Sequence, residues 1–200
     1  MPFFLPKIQG YIAHMAKILG FDCSSTTVGW GLIEYDDQFN ILDVKCDHFK
    51  PTKDGSIFER LEFVRTEVNK IISLHQPDNI VIEDIVKFMA RASSAQTIIT
   101  LAVFNRTIGM TCYDALKKDP ELMSVMTIRH KIKEDKVIPK KEEIPERLEK
   151  ILGINFPYLI NSKNLKVKEE SYDRADGLAV ATAWFLIKKT PAKVKKAKKK

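Results

Sequence analysis

The stretch AKILGFDCSSTTVGWGLIEYDD, residues 16–37, decides how the rest of the chain is understood. A short apolar run ends on an acid, Asp22, and is followed by a polar turn, Cys23-Ser24-Ser25-Thr26-Thr27. A second apolar run, from Val28 to Tyr35, carries Gly29 and Gly31 on either side of Trp30 and stops at Asp36-Asp37. A third run, from about Phe39 to Phe49, alternates loosely between apolar and polar residues. Two such hairpins in succession predict a three-strand antiparallel meander. Glycines inside the second strand leave room for a bulge or for close approach of another backbone.

Working outward, Ile57, Phe58, Leu61, Val64, Val68, Ile71, Ile72 and Leu74 recur at helical spacing between Ser56 and His75, and Gln76-Pro77-Asp78 ends that helix. Asn79-Ile80-Val81-Ile82-Glu83 is a nearly continuous apolar run, as expected of a strand buried on both faces, and it too ends on an acid. A loop with Lys87, Phe88 and Arg91 leads to a helix expected from Ser93 to Leu116. Ser124 to Ile128 is assigned as a fifth strand. A charged stretch from Arg129 to Lys141 precedes a short helix ending near Gly153, and a last helix is expected from Tyr172 to Lys188. This α/β order is similar to the RNase H-like fold: a five-stranded mixed sheet, three antiparallel strands then two parallel, flanked by helices.

Composition narrows the possibilities. With 44% hydrophobic and 30% charged residues, the 200-residue chain suits one domain with a sizeable core. No apolar run approaches the ~20 residues that span a bilayer, and no secretory signal pattern opens the chain. The net charge of +7 is unevenly placed: residues 188–200 hold eight lysines and no acid, leaving 25 basic against 26 acidic residues elsewhere. We therefore expect an N-terminal extension over 1–15, a domain over 16–187 and a disordered lysine-rich tail over 188–200. The tail suits attraction to a phosphate backbone. Cys23, Cys46 and Cys112 form no Cys-x-x-Cys pair, and the four histidines have no zinc-ligand spacing. This points to free thiols in a reducing, cytoplasmic compartment.

The candidate chemistry rests on Asp22, Glu83, Asp173 and Asp176. The first two end strands that can lie side by side, and the last two, three residues apart, share one helical face. Each has a structural alternative: Asp22 as a turn cap, and Asp173 or Asp176 as helix N-terminal acids. Taken together, four acids repel unless a cation neutralises them. Carboxylate oxygens select hard cations, so magnesium is expected, with manganese as substitute. Two such ions roughly 4 Å apart can activate water and stabilise a leaving oxygen in phosphodiester hydrolysis.

Those residues carry a resemblance. Ile18-Leu19-Gly20-Phe21-Asp22 through Val28-Gly29-Trp30-Gly31-Leu32-Ile33 resembles the opening of RuvC, the bacterial Holliday junction resolvase. Ile82-Glu83 with Phe88-Met89-Ala90 resembles the second acid and its loop, and Asp173-Arg174-Ala175-Asp176-Gly177-Leu178-Ala179-Val180-Ala181 is similar to the closing Asp-x-x-Asp helix. The resemblance implies a homodimer that resolves four-way DNA junctions by symmetric, magnesium-dependent cuts. It implies that the helix from Ser93 to Leu116 dimerises, that Phe88 stacks on bases at the junction centre, and that Lys133 and Lys141 contact phosphates. Arg91, His130, Lys131 and Lys140 are further candidate DNA contacts. Asp22 and one of the last two aspartates would hold the ion that positions water, and Glu83 would share the second.

There are departures from the family pattern. Cys23-Ser24 stands where the family has Pro-Gly, and the loop before Phe88 is about two residues longer. The lysine tail and N-terminal extension suit a divergent relative of phage or viral type. Alternative readings are an RNase H-like nuclease acting on flaps, other branched DNA or RNA–DNA hybrids, and a catalytically silent junction-binding protein. The related kinase-like fold is disfavoured by the lack of a glycine-rich phosphate loop.

Overall fold

The computed structural model describes residues 15–85 and 94–190. Strands β1 (Ala16–Cys23), β2 (Val28–Tyr35) and β3 (Ile41–Phe49) form the expected antiparallel meander. Helix α1 (Ile57–His75) crosses over to β4 (Asn79–Glu83), which pairs parallel with β1, and α2 (Ala95–Leu116) crosses to β5 (Glu121–Met123), parallel with β4. The sheet order is β3-β2-β1-β4-β5. Helices α3 (Val125–Lys131), α4 (Ile144–Leu152) and α5 (Glu169–Lys189) complete the chain.

Side chains alternate across a strand, and this sorts the core into two layers. Leu19, Phe21, Leu32, Ile80 and Ile82 pack with Val64 and Val68 of α1 and Phe104 and Ile108 of α2. Ile18, Ile33 and Val81 face the other way, onto Leu178, Ala179, Phe185 and the α3 and α4 residues Ile128 and Leu148. The helix starts are specified locally. Ser56 caps α1 in a reciprocal pair with Glu59, a motif whose cap alone is worth about 1 kcal/mol. Ser94 caps α2 by accepting from the Thr97 N–H at 3.2 Å.

The fifth strand differs from expectation. It is Glu121–Met123, paired Leu122 to Ile82 and Met123 to Glu83, and the expected strand Ser124–Ile128 is instead the start of α3. The reason is local: Ser124 accepts a hydrogen bond from the Thr127 N–H at 3.2 Å and so acts as a helix cap. In the apolar run that follows, Ile128 alone is buried, while Met126 stays exposed. The last helix also begins earlier than expected, at Glu169, which places Asp173 and Asp176 in its first two turns.

Candidate active site

The β1–β4 register brings the first pair of acids together. Phe21 of β1 is level with Ile82 of β4 in the parallel ladder, so Asp22 and Glu83 follow side by side at the ends of their strands. Gly20 and Val81 face α5, and by the two-residue period Asp22 and Glu83 emerge on that same face. Helix α5 supplies the second pair. It comes so close to β1 and β2 that a Cβ on Gly29 would overlap the Asp173 carbonyl, and one on Gly177 would overlap the backbone of Gly29 and Trp30. Glycine at these positions is thus what lets the helix set its acids against Asp22.

The start of α5 is also braced from outside. The Arg174 guanidinium lies 2.6 Å from Asp47 Oδ1, and its Nε donates to His48 Nδ1 at 3.2 Å, tying the helix to β3. Ser171, fully buried, accepts from the Leu159 N–H at 2.8 Å. On the other side, Asn105 of α2 is buried and donates to the Glu83 carbonyl at 2.8 Å and to Cys23 Sγ at 3.7 Å. Arg106 donates to Asn105 Oδ1 at 2.9 Å and to Asp84 Oδ1 at 3.0 Å. This network holds the ends of β1 and β4 from behind, so each acid sits on backbone fixed by more than its own strand.

The acids crowd one another electrostatically. Burial pushes Asp22 up to about 6, opposed by Lys141 and reinforced by Asp173. Burial, then Asp22 and Asp176, pushes Glu83 up to about 8. Burial and Asp22 push Asp176 up to about 7, with Lys141 and Arg129 opposing. The Lys141 ammonium lies 3.0 Å from Asp173 Oδ1 and 3.4 Å from Asp176 Oδ2. Burial works against its charge, but the two aspartates outweigh burial and hold its pKa above the ordinary lysine value.

This donor set fits a divalent cation. The donors are carboxylate oxygens, burial and mutual repulsion raise the pKa of three of them, and an ammonium already lies beside Asp173 and Asp176. Among the described residues no three acids, cysteines or histidines yet close around a single point. The Asp173 and Asp176 side chains keep 18% and 15% of their surface exposed.

All four acids expected from the sequence are therefore brought together, with Lys141 among them. His130, Lys131, Lys133 and Lys140 are exposed on α3 and the segment after it, outside this cluster. Phe88 and Arg91 lie outside the described residues. Arg129 was not singled out by the sequence. It acts on Asp22, Glu83 and Asp176 while donating to the Pro139 carbonyl at 3.0 Å. Within a run of basic residues nothing distinguishes it; only the fold turns it inward.

The sheet order, crossovers and helix placement define an RNase H-like fold. The family model of crossover junction endodeoxyribonuclease RuvC matches residues 18–126, more than half of the chain. The chain belongs to the RuvC family. The RuvC of Fusobacterium nucleatum is 33% identical over 107 residues, 50% of this chain and 55% of that protein, so the alignment spans about half of that relative. The RuvC of Dehalococcoides mccartyi is 26% identical over 171 residues, covering 82% of this chain and 89% of that protein. Among solved structures, Thermus thermophilus RuvC in complex with Holliday junction substrate superposes with a TM-score of 0.61 at 16% identity, over 86% of this chain and 95% of that one. Asp22 and Glu83 lie inside the family match, and Asp173 and Asp176 beyond it. Among the described residues no helix is long and apolar enough to cross a membrane.

Proposed function

We propose that this chain is a homodimeric, magnesium-dependent endonuclease that resolves four-way DNA junctions, with Asp22, Glu83, Asp173 and Asp176 as its catalytic carboxylates. The observation that carries the reading is the convergence of acids from β1, β4 and α5 on one face of the sheet, where burial and mutual repulsion raise the pKa of Asp22, Glu83 and Asp176. Asp22 with Asp173 or Asp176 would hold one magnesium, and Glu83 would share a second. Bound there, magnesium supplies Lewis-acid activation of water and neutralises charge at the leaving oxygen.

The protein's own groups do the positioning. Lys141 balances Asp173 and Asp176 and is placed to contact a phosphate oxygen when those carboxylates turn to an ion. Asn105 and Arg106 keep the Glu83 backbone fixed, which favours a single approach of the strand. Lys131, Lys133, Lys140 and His130 are exposed on one stretch and would supply position rather than sequence readout. Phe88 would stack on bases at the junction centre, and Arg91 would be a further DNA contact.

The homodimer reading is supported by α2. Its outer face carries Ile99, Val103, Met110 and Tyr113 at alternating spacings of four, seven and three, and Ile99 and Met110 are 56% and 60% exposed. Phe104, Ile108 and Cys112 on the opposite side are buried. An apolar stripe on the outside of a core helix is complete only when another surface covers it, and two copies give two active sites for paired cuts.

The test is a substrate panel in magnesium: a labelled four-way junction, a flap, a linear duplex and an RNA–DNA hybrid. Cleavage of the junction well above the others supports the reading. Equal cleavage of flap or hybrid keeps a nuclease and removes the resolvase. Tight junction binding without cleavage in magnesium or manganese leaves a silent binding protein.

A further inference from the structure

The cleft does not stop at the carboxylates. A volume of about 420 Å³ runs from Asp22, Asp173 and Lys141 past the β1–β2 turn to Lys50 and Lys53, just beyond β3. The Ser24 hydroxyl is spent inside the turn, donating to the Thr27 carbonyl at 2.8 Å and accepting from the Thr27 N–H at 2.8 Å. Lys50 and Lys53 are the cations that line this corner. Lys53 is exposed and makes no ion pair among the described residues.

Lys50 is engaged differently. Its ammonium lies 2.6 Å from Glu170 Oε1, on the first turn of α5 and three residues before Asp173. The pair joins the end of β3 to the catalytic helix across the cleft mouth. The Lys50 side chain is 52% exposed and that of Glu170 26%, and ion pairs so open to water contribute little to folding. The helix start has stronger braces in Arg174 and Ser171. What the pair does instead is keep an ammonium occupied beside a site built for a polyanion, while Glu169 and Glu170 oppose the entry of one.

We infer that the Lys50–Glu170 pair is an exchangeable latch over a second phosphate subsite. A phosphodiester of the cleaved strand, next to the scissile one, takes the place of Glu170 on Lys50, with Lys53 beside it. This rests on the DNA-cleaving reading above. The exchange swaps one oxyanion for another around the same ammonium, so Lys50 never loses its partner. A chain without a phosphate at that position leaves the latch shut, which makes the subsite a filter for correctly seated strands.

The experiment is equilibrium binding of a labelled four-way junction and a linear duplex across a range of salt concentrations. It compares the wild-type protein with Lys50→Ala, Lys53→Ala, Glu170→Gln and the Lys50→Ala/Glu170→Gln double variant. Each lysine change is expected to lower the slope of log affinity against log salt by about 1 and to weaken binding about five- to tenfold at low salt. Glu170→Gln is expected to tighten binding about threefold, and the double variant to match Lys50→Ala. Thermal melts of all four are expected within a degree or two of wild type. Unchanged slopes for both lysine variants overturn the inference. So does weaker binding by Glu170→Gln, because a structural brace loses from either side. If wild type binds duplex as well as junction, junction selectivity falls while the lysine slopes still decide the latch. If wild type binds neither, both fall.

Discussion

Glu83 illustrates how a site residue can oppose the fold that holds it. Its pKa of about 8 stands well above 4.5, the ordinary glutamate value, with burial as the main cause and Asp22 and Asp176 behind it; Asp22 and Asp176 stand at about 6 and about 7 against 3.8. A group whose folded pKa is raised contributes stability that is complete below the unfolded pKa and lost as pH climbs through the folded one. Without metal, stability should therefore fall between about pH 4 and pH 8. At pH 8 in chelator, Glu83→Gln is expected to melt about 2–4 °C higher than wild type, the shift that accompanies 1 kcal/mol in a domain of this size. The same variant should no longer cut. A lower melting point in chelator would mean that the carboxylate stabilises the empty site, against its raised pKa. The protons also compete with metal. The magnesium concentration for half-maximal cleavage should fall as pH rises from 6 to 8 and then level off; a pH-independent value would separate these acids from metal binding. The acids could be found in the sequence because each closes an apolar run or shares a helix face. Arg129 and Arg174 could not, since their partners come from remote elements.

At the scale of elements, helix α5 determines whether four acids become one site. Backbone contact between α5 and β2 leaves no volume at Gly29, and a methyl there must push the helix from the sheet. Gly29→Ala is expected to cost about 1–3 kcal/mol, as overpacking does, and to lower cleavage by roughly 100-fold, the penalty for about 1 Å of misplacement. Denaturant melts and initial rates check the two parts; near wild-type activity would show that the helix tolerates displacement. Asn105→Leu tests the opposite support: the freed Glu83 carbonyl should cost cleavage more than junction affinity, and loss of affinity alone would count against that role. Most elements were legible because short apolar runs bounded by polar turns in the meander give way to a 3.6-residue period in α1. The fifth strand was not. The run Val125-Met126-Thr127-Ile128 is apolar enough for a strand, and the Ser124–Thr127 cap that makes it a helix is a hydrogen bond, not a pattern of hydrophobicity. The strand itself, Glu121–Met123, is three residues long and carries an exposed Leu122.

For the whole molecule, the question is how one site becomes two matched cuts. The outer stripe of α2 is expected to pair copies of the chain, so Met110→Glu should shift sedimentation from dimer to monomer and leave nicks on single strands instead of opposing ones. A dimer that survives Met110→Glu, together with Val103→Glu, would move the interface elsewhere. We expect the lysine-rich end to act at longer range. Removing residues 191–200, which carry six lysines, should flatten the salt dependence of DNA binding without changing where the strands are cut. The central claim remains that Asp22, Glu83, Asp173 and Asp176 form one metal-dependent site acting on a four-way junction. Its most direct test is cleavage of a labelled immobile junction, with linear duplex alongside, by wild type and Asp173→Ala in magnesium. Paired symmetric nicks in the junction alone, absent with Asp173→Ala while binding persists, are the expected result. An Asp173→Ala protein that cuts like wild type, or a wild type that cuts nothing in magnesium or manganese, would contradict it.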